Sequence, residues 1–391
     1  MEEVEEKRME LLGDVMIDIL KRLPAKSLIR LKCVSKCLFS LINDPDFIFI
    51  HYNYDSLSNQ FIFLKRYIEI EESTSEYSIY YNGKNMLSLH SNDETFNCIA
   101  ENTEYMDNYI GVNVAGVCNG ILCICSYRGI VLYNPTLREF WKLPPSNLPL
   151  LADLSPSKKI DCWMDLATGI GFDTNTNDYK VVRILNPSNE YEFEDFDNNN
   201  KFISKVEIYN LSTNCWRRLE DLECIINFSH SSRVSFNKAY YWRGYLNIGH
   251  NCIVSFDFST ESFKKHAYPE DLDGKRSQSL SILNQNLALI YYAEFYSPDM
   301  LVEQSIDIWI MKRESWVKEF TLGPMLISKP LLVWKNGTEL MIESKEGKLM
   351  SYNFFFQSSK ELHILGVKNT LEAFVCKQSL ISIKKERAKW S

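Results

Sequence analysis

Ile130-Val-Leu-Tyr-Asn-Pro-Thr-Leu-Arg-Glu-Phe-Trp141 is the stretch whose reading decides the fold. An alternating run ends in an aromatic, residues suited to a turn follow, and an aromatic run returns, as in a β-hairpin. The pattern recurs as Val206-Glu-Ile-Tyr-Asn-Leu-Ser-Thr-Asn-Cys-Trp216 and Ile253-Val-Ser-Phe-Asp-Phe-Ser-Thr-Glu-Ser-Phe263. Weaker copies are Ile306-Asp-Ile-Trp-Ile-Met-Lys-Arg-Glu-Ser-Trp316 and Leu349-Met-Ser-Tyr-Asn-Phe-Phe-Phe-Gln. The anchor aromatics Tyr133, Tyr209, Phe256, Trp309 and Tyr352 lie 76, 47, 53 and 43 residues apart. A β-propeller blade takes about 40 to 50 residues, so the spacing predicts propeller blades, with an insertion in the longest interval.

Working outward, copies are preceded by a second hairpin signal: 117–124, 234–242, 280–290 and 332–342. Their centres, such as Asn119-Gly120 and Asn336-Gly337, suit the positive φ angles of a tight turn. Two hairpins make four strands per repeat. One such sheet cannot bury both faces alone, so blades must stack in a ring. Phe61-Ile-Phe-Leu64 and the run Phe374 to Ile383 are expected to pair at the chain ends and close that ring. The expectation is a mainly β chain of about six blades.

Ahead of this lies a different texture. Met16, Ile19, Leu20 and Leu23 recur at helical spacing, with Asp14 placed to cap and Pro24 to close. Leu31, Val34, Leu38, Leu41 and Ile42 continue a helical stripe until Asn43-Asp44-Pro45 stops it. Two or three helices within the first fifty residues make a unit too small to stand on its own core, so a partner should cover its apolar surplus. The organisation reads as 1–52 helical and 53–391 β-rich.

The 391 residues are 45% hydrophobic and 24% charged, ordinary for a globular chain. No apolar run approaches the roughly 18 residues that cross a bilayer, and the acidic N-terminus is unlike a signal peptide; cytosol or nucleus is expected, with no membrane partner. The formal charge is −8, of which −7 falls after residue 52, which argues against a nucleic-acid partner and permits a basic protein one. Eleven cysteines without a C-x-x-C pair indicate neither a disulfide framework nor zinc. Cys33 and Cys37, and Cys123 and Cys125, read as packing residues. The six histidines do not cluster, and no phosphate loop, nucleophile elbow or H-E-x-x-H occurs. No cofactor, metal site or catalytic group is expected. Glu69 to Glu76 reads as an exposed loop. Tyr191, Glu192, Phe193, Glu194, Asp195, Phe196 and Asp197 form an acidic, aromatic insertion. It is read either as a solvated loop or as a binding surface, its charges steering a basic target and its rings burying against it.

Residues 11–36, Leu-Leu-Gly-Asp-Val-Met-Ile-Asp-Ile-Leu-Lys-Arg-Leu-Pro-Ala-Lys-Ser-Leu-Ile-Arg-Leu-Lys-Cys-Val-Ser-Lys, resemble a plant F-box. Gly13 stands where that family usually has Pro, and Leu38 where Trp is common. The rest is similar to the F-box-associated, kelch-like propeller domain, through 117–123, Leu-Tyr-Asn-Pro-Thr at 132–136 and Gly-Ile-Gly-Phe-Asp-Thr-Asn-Thr-Asn-Asp-Tyr-Lys-Val-Val-Arg-Ile at 169–184. Within the group it looks most similar to pollen S-locus F-box proteins. The resemblance implies a non-catalytic substrate receptor of a ubiquitin ligase, joined through a Skp-type adaptor to a cullin and a RING protein. Leu12, Gly13, Ile17, Leu20, Leu23, Pro24 and Leu28 then match the adaptor-contacting positions. It also implies expression in pollen and a basic style ribonuclease as target. The rival reading is a glycan-binding or hydrolytic propeller, with Trp242 and Tyr245 lining a sugar site.

Overall fold

The computed structural model describes residues 13–54, 60–69, 83–93, 95–102, 112–126, 129–146, 166–186, 203–227, 233–246, 250–269, 277–292 and 304–384. The N-terminal part holds four helices: α1 over 13–20, α2 (Ala25–Leu31), α3 (Lys36–Asn43) and α4 (Pro45–Asn53). Residue 13 is already helical, so Asp14 sits inside α1 and does not cap it. The continuous stripe expected from Leu31 to Ile42 is broken. Ser35 caps α3, its Oγ accepting from the Leu38 N–H at 3.1 Å. Asn43-Asp44-Pro45 ends one helix and begins another. Pro fits a first helical turn, whose N–H is orphaned anyway, and Asp44 Oδ1 accepts from the N–H groups of Asp46 (2.8 Å) and Phe47 (3.3 Å).

The chain then forms six sheets. Blade 1 joins β1 (Gln60–Glu69), β2 (Gly83–Ser91) and β3 (Cys98–Asn102) to the last strand, β25 (Glu372–Lys377). Blade 2 is β4 (Asn113–Cys118), β5 (Ile121–Ser126), β6 (Gly129–Asn134) and β7 (Glu139–Lys142). Blade 3 is β8 (Leu166–Asp173), β9 (Asp178–Leu185), β10 (Lys205–Asn210) and β11 (Cys215–Arg218). Blade 4 has β12 (Ile225–Ile226), β13 (Arg233–Phe236), β14 (Ala239–Tyr245), β15 (Asn251–Asp257) and β16 (Ser262–His266). Blade 5 is β17 (Ser277–Leu283), β18 (Asn286–Tyr292), β19 (Gln304–Lys312) and β20 (Ser315–Met325). Blade 6 is β21 (Lys329–Trp334), β22 (Glu339–Glu343), β23 (Lys348–Asn353) and β24 (Ser358–Leu365).

The strands β25, β4, β8, β13, β17 and β21 touch in turn and return to the first, so the ring is closed. The seam is the one expected from the chain ends, with Phe61 opposite Cys376 and Phe63 opposite Phe374. Residues 378–383, expected to extend that pairing, leave the sheet instead. The anchor aromatics lie on the third strand of blades 2 to 6, where Tyr133 faces Phe140, Tyr209 faces Trp216 and Phe256 faces Phe263. Each blade-to-blade interface carries its own apolar cluster. Inner hairpins turn on left-handed pairs such as Asn119-Gly120, Asn237-Lys238 and Asn284-Gln285.

Candidate functional site

The helical unit and the propeller are one packed object. Leu20, Ala25, Leu28, Ile42 and Phe47 form a core that also takes Leu380 from the segment after β25. Gln378 Oε1 accepts from the Ala25 N–H at 2.6 Å, standing in for the N-cap side chain that α2 lacks. The same segment is tied to blade 2, where Asn134 Nδ2 donates to the carbonyls of Ser379 (3.1 Å) and Ile381 (2.8 Å) and Glu139 accepts from the Ile383 N–H (3.1 Å). Helix α4 overlies a cleft of about 890 Å³ whose walls include Phe49, Tyr52, Asn119, Phe172 and Tyr179.

That cleft identifies the faces of the ring. Asn119 and Asn177 belong to turns between first and second strands, so the helices sit on the face that carries those turns. Strand β9 runs away from this face to Leu185, and β10 returns from Lys205, the register partner of Leu185. The acidic insertion therefore leaves and re-enters at the opposite face of blade 3. Residues 191–197 themselves lie outside the described residues, as does Leu12.

The structure sorts the expected adaptor-contacting positions. Leu20 and Leu28 are 5% and 0% exposed and belong to the core of the helical unit. The physical reason is α4, whose Phe47 gives α1 and α2 something to pack on. Ile17 and Leu23 are half-buried against the same cluster, Gly13 is half-buried, and Pro24 is exposed. The apolar surface left open consists of Val15, Met16, Ile19, Val34, Phe39, Phe49 and Ile50, with Val34 and Phe49 each 69% exposed. Met16, Ile19 and Val34 were legible in the sequence on helical stripes, though not named as contacts, and Phe49 and Ile50 were missed because the run Phe47-Ile-Phe-Ile50 was not read as a helix with two unlike faces.

The central channel, about 610 Å³, is lined by inner-strand residues that include Arg233, Ser279, Ser281 and Glu372. Lys65 and Glu372 pair at 3.0 Å with both side chains buried. Trp242 is fully buried between blades 3 and 4, and the Tyr245 hydroxyl accepts from Asn227, so Trp242 does not line a sugar site. Among the described residues no three His, Cys, Asp or Glu side chains gather as a metal site.

Comparison with known proteins adds to this geometry. Residues 13–50 match the model of the F-box domain, and residues 72–384 match that of the F-box associated beta propeller domain. The chain is 26% identical over 386 residues to the F-box protein CPR1 of Arabidopsis thaliana, covering 91% of this chain and 84% of that protein. It is 24% identical over 357 residues to the F-box/kelch-repeat protein At3g23880 of the same plant, covering 87% and 86%. Among solved structures, TolB from Acinetobacter baumannii aligns with a TM-score of 0.43 at 11% identity, over 84% of this chain and 70% of that one.

Proposed function

The chain belongs to the F-box associated beta propeller family and carries an F-box domain ahead of its propeller, and from that premise we propose that it is the substrate receptor of a Skp–cullin–F-box ubiquitin ligase. Residues 1–52 engage the adaptor, and 53–391 hold the target. The reading rests above all on Val15, Met16, Ile19, Val34, Phe39, Phe49 and Ile50, large apolar side chains that so small a unit leaves exposed and that a partner would cover. Helix faces of this kind dock into apolar grooves. The adaptor links the chain to a cullin and its RING protein, and a separate enzyme transfers ubiquitin. The chain itself makes no bond and acts by holding the target at high effective concentration.

The target is proposed to bind the face opposite the helices, where the acidic insertion leaves blade 3. A basic protein suits the charge of −7 carried after residue 52. The finer reading, a non-self style ribonuclease met in the pollen cytoplasm, rests on the resemblance to pollen S-locus F-box proteins and on that charge. Location in the cytosol, and also the nucleus, belongs to the same proposal.

The first test is co-purification with a plant Skp adaptor. Ile19→Glu together with Val34→Glu places charge on the open face and should abolish binding, with the strand signal in circular dichroism unchanged. Leu20→Glu should instead disrupt the helical core. Full binding by the Ile19/Val34 variant would remove the open face from the interface. Screening a panel of basic ribonucleases and a glycan array against the wild-type chain then separates the proposed target class from the sugar-binding alternative.

A further inference from the structure

Two buried thiols meet close to Asn186 and Ser204, the described residues that flank the acidic insertion. Cys224, in the 219–226 connector that carries the chain from blade 3 to blade 4, and Cys252, on β15, have their sulfurs 3.5 Å apart. They lie near opposite flanks of β14, and the approach is possible because the residue between them is Gly244. It is the register partner of Cys252, and a β-carbon there would lie 2.8 Å from Cys224 Sγ. The ammonium of Lys265 is close by, donating to the carbonyl of Glu223 at 2.8 Å. Contact between the sulfurs places one thiol within reach of the other for disulfide formation, and a nearby cation favours the thiolate, so that peroxide needs only local opening to reach this buried pair.

We propose that Cys224 and Cys252 are a peroxide-oxidisable dithiol, with Cys252 as nucleophile and Cys224 as resolving thiol. The neighbouring Cys224 thiol lowers the pKa of Cys252 against the opposing effect of burial, and the Lys265 charge lowers it further. Cys252 loses its proton and attacks one oxygen of hydrogen peroxide. The S–O bond forms as the O–O bond breaks, and the departing hydroxide takes up that proton as water. The Cys224 sulfur then attacks the Cys252 sulfur. The S–S bond forms as the S–O bond breaks, and the second hydroxide leaves with the Cys224 proton as water. Two thiols are oxidised by two electrons, and one peroxide is reduced to two waters.

The consequence for the molecule lies at the base of the insertion. Asn186 holds Ile226 at both backbone groups, donating to its carbonyl at 2.7 Å and accepting from its N–H at 3.0 Å. Ser204 Oγ donates to the Cys224 carbonyl at 2.6 Å. Asn186 and Ser204 flank the insertion in sequence, so stapling Cys224 to β15 would tie the connector they bond to more firmly to blade 4. The link to target binding rests on the function proposed above, whereas the chemistry does not.

The test uses the reduced full-length chain, treated with graded hydrogen peroxide, alkylated in denaturant with N-ethylmaleimide and read by peptide mass spectrometry. A 224–252 cross-link, two hydrogens lighter than the reduced pair, should form at lower peroxide than oxidation of the exposed Cys33, Cys37, Cys98 and Cys215. In Cys224→Ser, Cys252 should be trapped by dimedone as a sulfenic acid. Lys265→Met should slow cross-linking about ten-fold while the circular dichroism spectrum stays the same. The proposal is overturned if both thiols stay alkylatable after the exposed ones have oxidised, or if Cys252 pairs with a different cysteine. Adaptor co-purification reports separately on the proposed function, so either reading can fail while the other stands.

Discussion

Gly13 and Gly171 show how one residue type carries opposite consequences. A β-carbon added at Gly13 meets nothing within 4 Å, and the position is helical. Gly13→Ala should therefore stabilise α1 by roughly 0.5–1 kcal/mol through the lost freedom of the unfolded chain, seen as a rise in the denaturant midpoint of the helical unit. At Gly171 the same carbon would lie 2.0 Å from the Phe258 ring, which is buried between blades 3 and 4. Gly171→Ala should cost about 1–3 kcal/mol by overpacking, read by calorimetry as a lower melting temperature. Gly171 was quoted from the sequence only inside a family motif, and nothing local announces that a ring from another blade fills its side-chain space. Leu20 and Leu28 teach the same lesson in reverse. Their helical spacing was legible, but which face meets a neighbour depends on α4 and on Leu380, which is remote in sequence.

At the scale of the element, the hairpins were the most legible part, because turn chemistry and aromatic alternation are local. The copies at 130–141, 206–216 and 253–263 each became the outer two strands of a blade. The stop at Asp44-Pro45 was read as the structure has it, but the helix that starts there was not, because the same dipeptide can end one helix and begin the next, and only the Asp44 side chain bonded to the following turn shows the second role. What ties one blade to the next was not legible at all. Lys180 on β9 reaches Asp173 at 2.6 Å, the Phe258 carbonyl at 3.1 Å and Glu261 at 2.6 Å, joining blades 3 and 4 through charges 81 residues apart in sequence. Burial opposes the Asp173 charge, but Lys180, Thr176 and the Asn175 N–H overcome it and hold the carboxyl well below its usual range. A depressed carboxylate stabilises the fold above its unfolded pKa of about 3.9 and loses that contribution as pH falls through the folded value. Urea midpoints should thus fall steeply below about pH 4, and Asp173→Asn should flatten that limb while costing about 3 kcal/mol at pH 7 by leaving Lys180 under-paired. An unchanged acid limb in the variant would assign the sensitivity to other carboxylates.

Across the whole molecule, the two chain ends do different work, and the sequence disclosed only one half of it. Pairing of 61–64 with 373–376 was readable in outline because both runs are strand-like and a ring must close somewhere. The role of 378–384 was not, because Gln378 and Leu380 look unremarkable until they are found completing a core more than 300 residues away in sequence. That arrangement makes the helical unit dependent on the propeller's last residues, as expected for a unit too small to supply its own core. Removing residues 378–391 should therefore leave the six-bladed ring closed, though less stable for the loss of Ile383 from the cluster between blades 2 and 3, while the amides of α2, α3 and α4 exchange at nearly unprotected rates. Removing 372–391 takes β25 as well, so blade 1 loses its innermost strand and the ring its seam. The strand signal itself should then broaden or collapse on heating. Hydrogen exchange read by mass spectrometry distinguishes the two in one experiment. Continued protection of α2 to α4 in the shorter deletion would mean that Leu380 and Gln378 are passengers and that the helices hold together by Phe47 and Ile42 alone. Loss of protection confined to the helices would mean that the propeller positions the F-box helices by finishing their core.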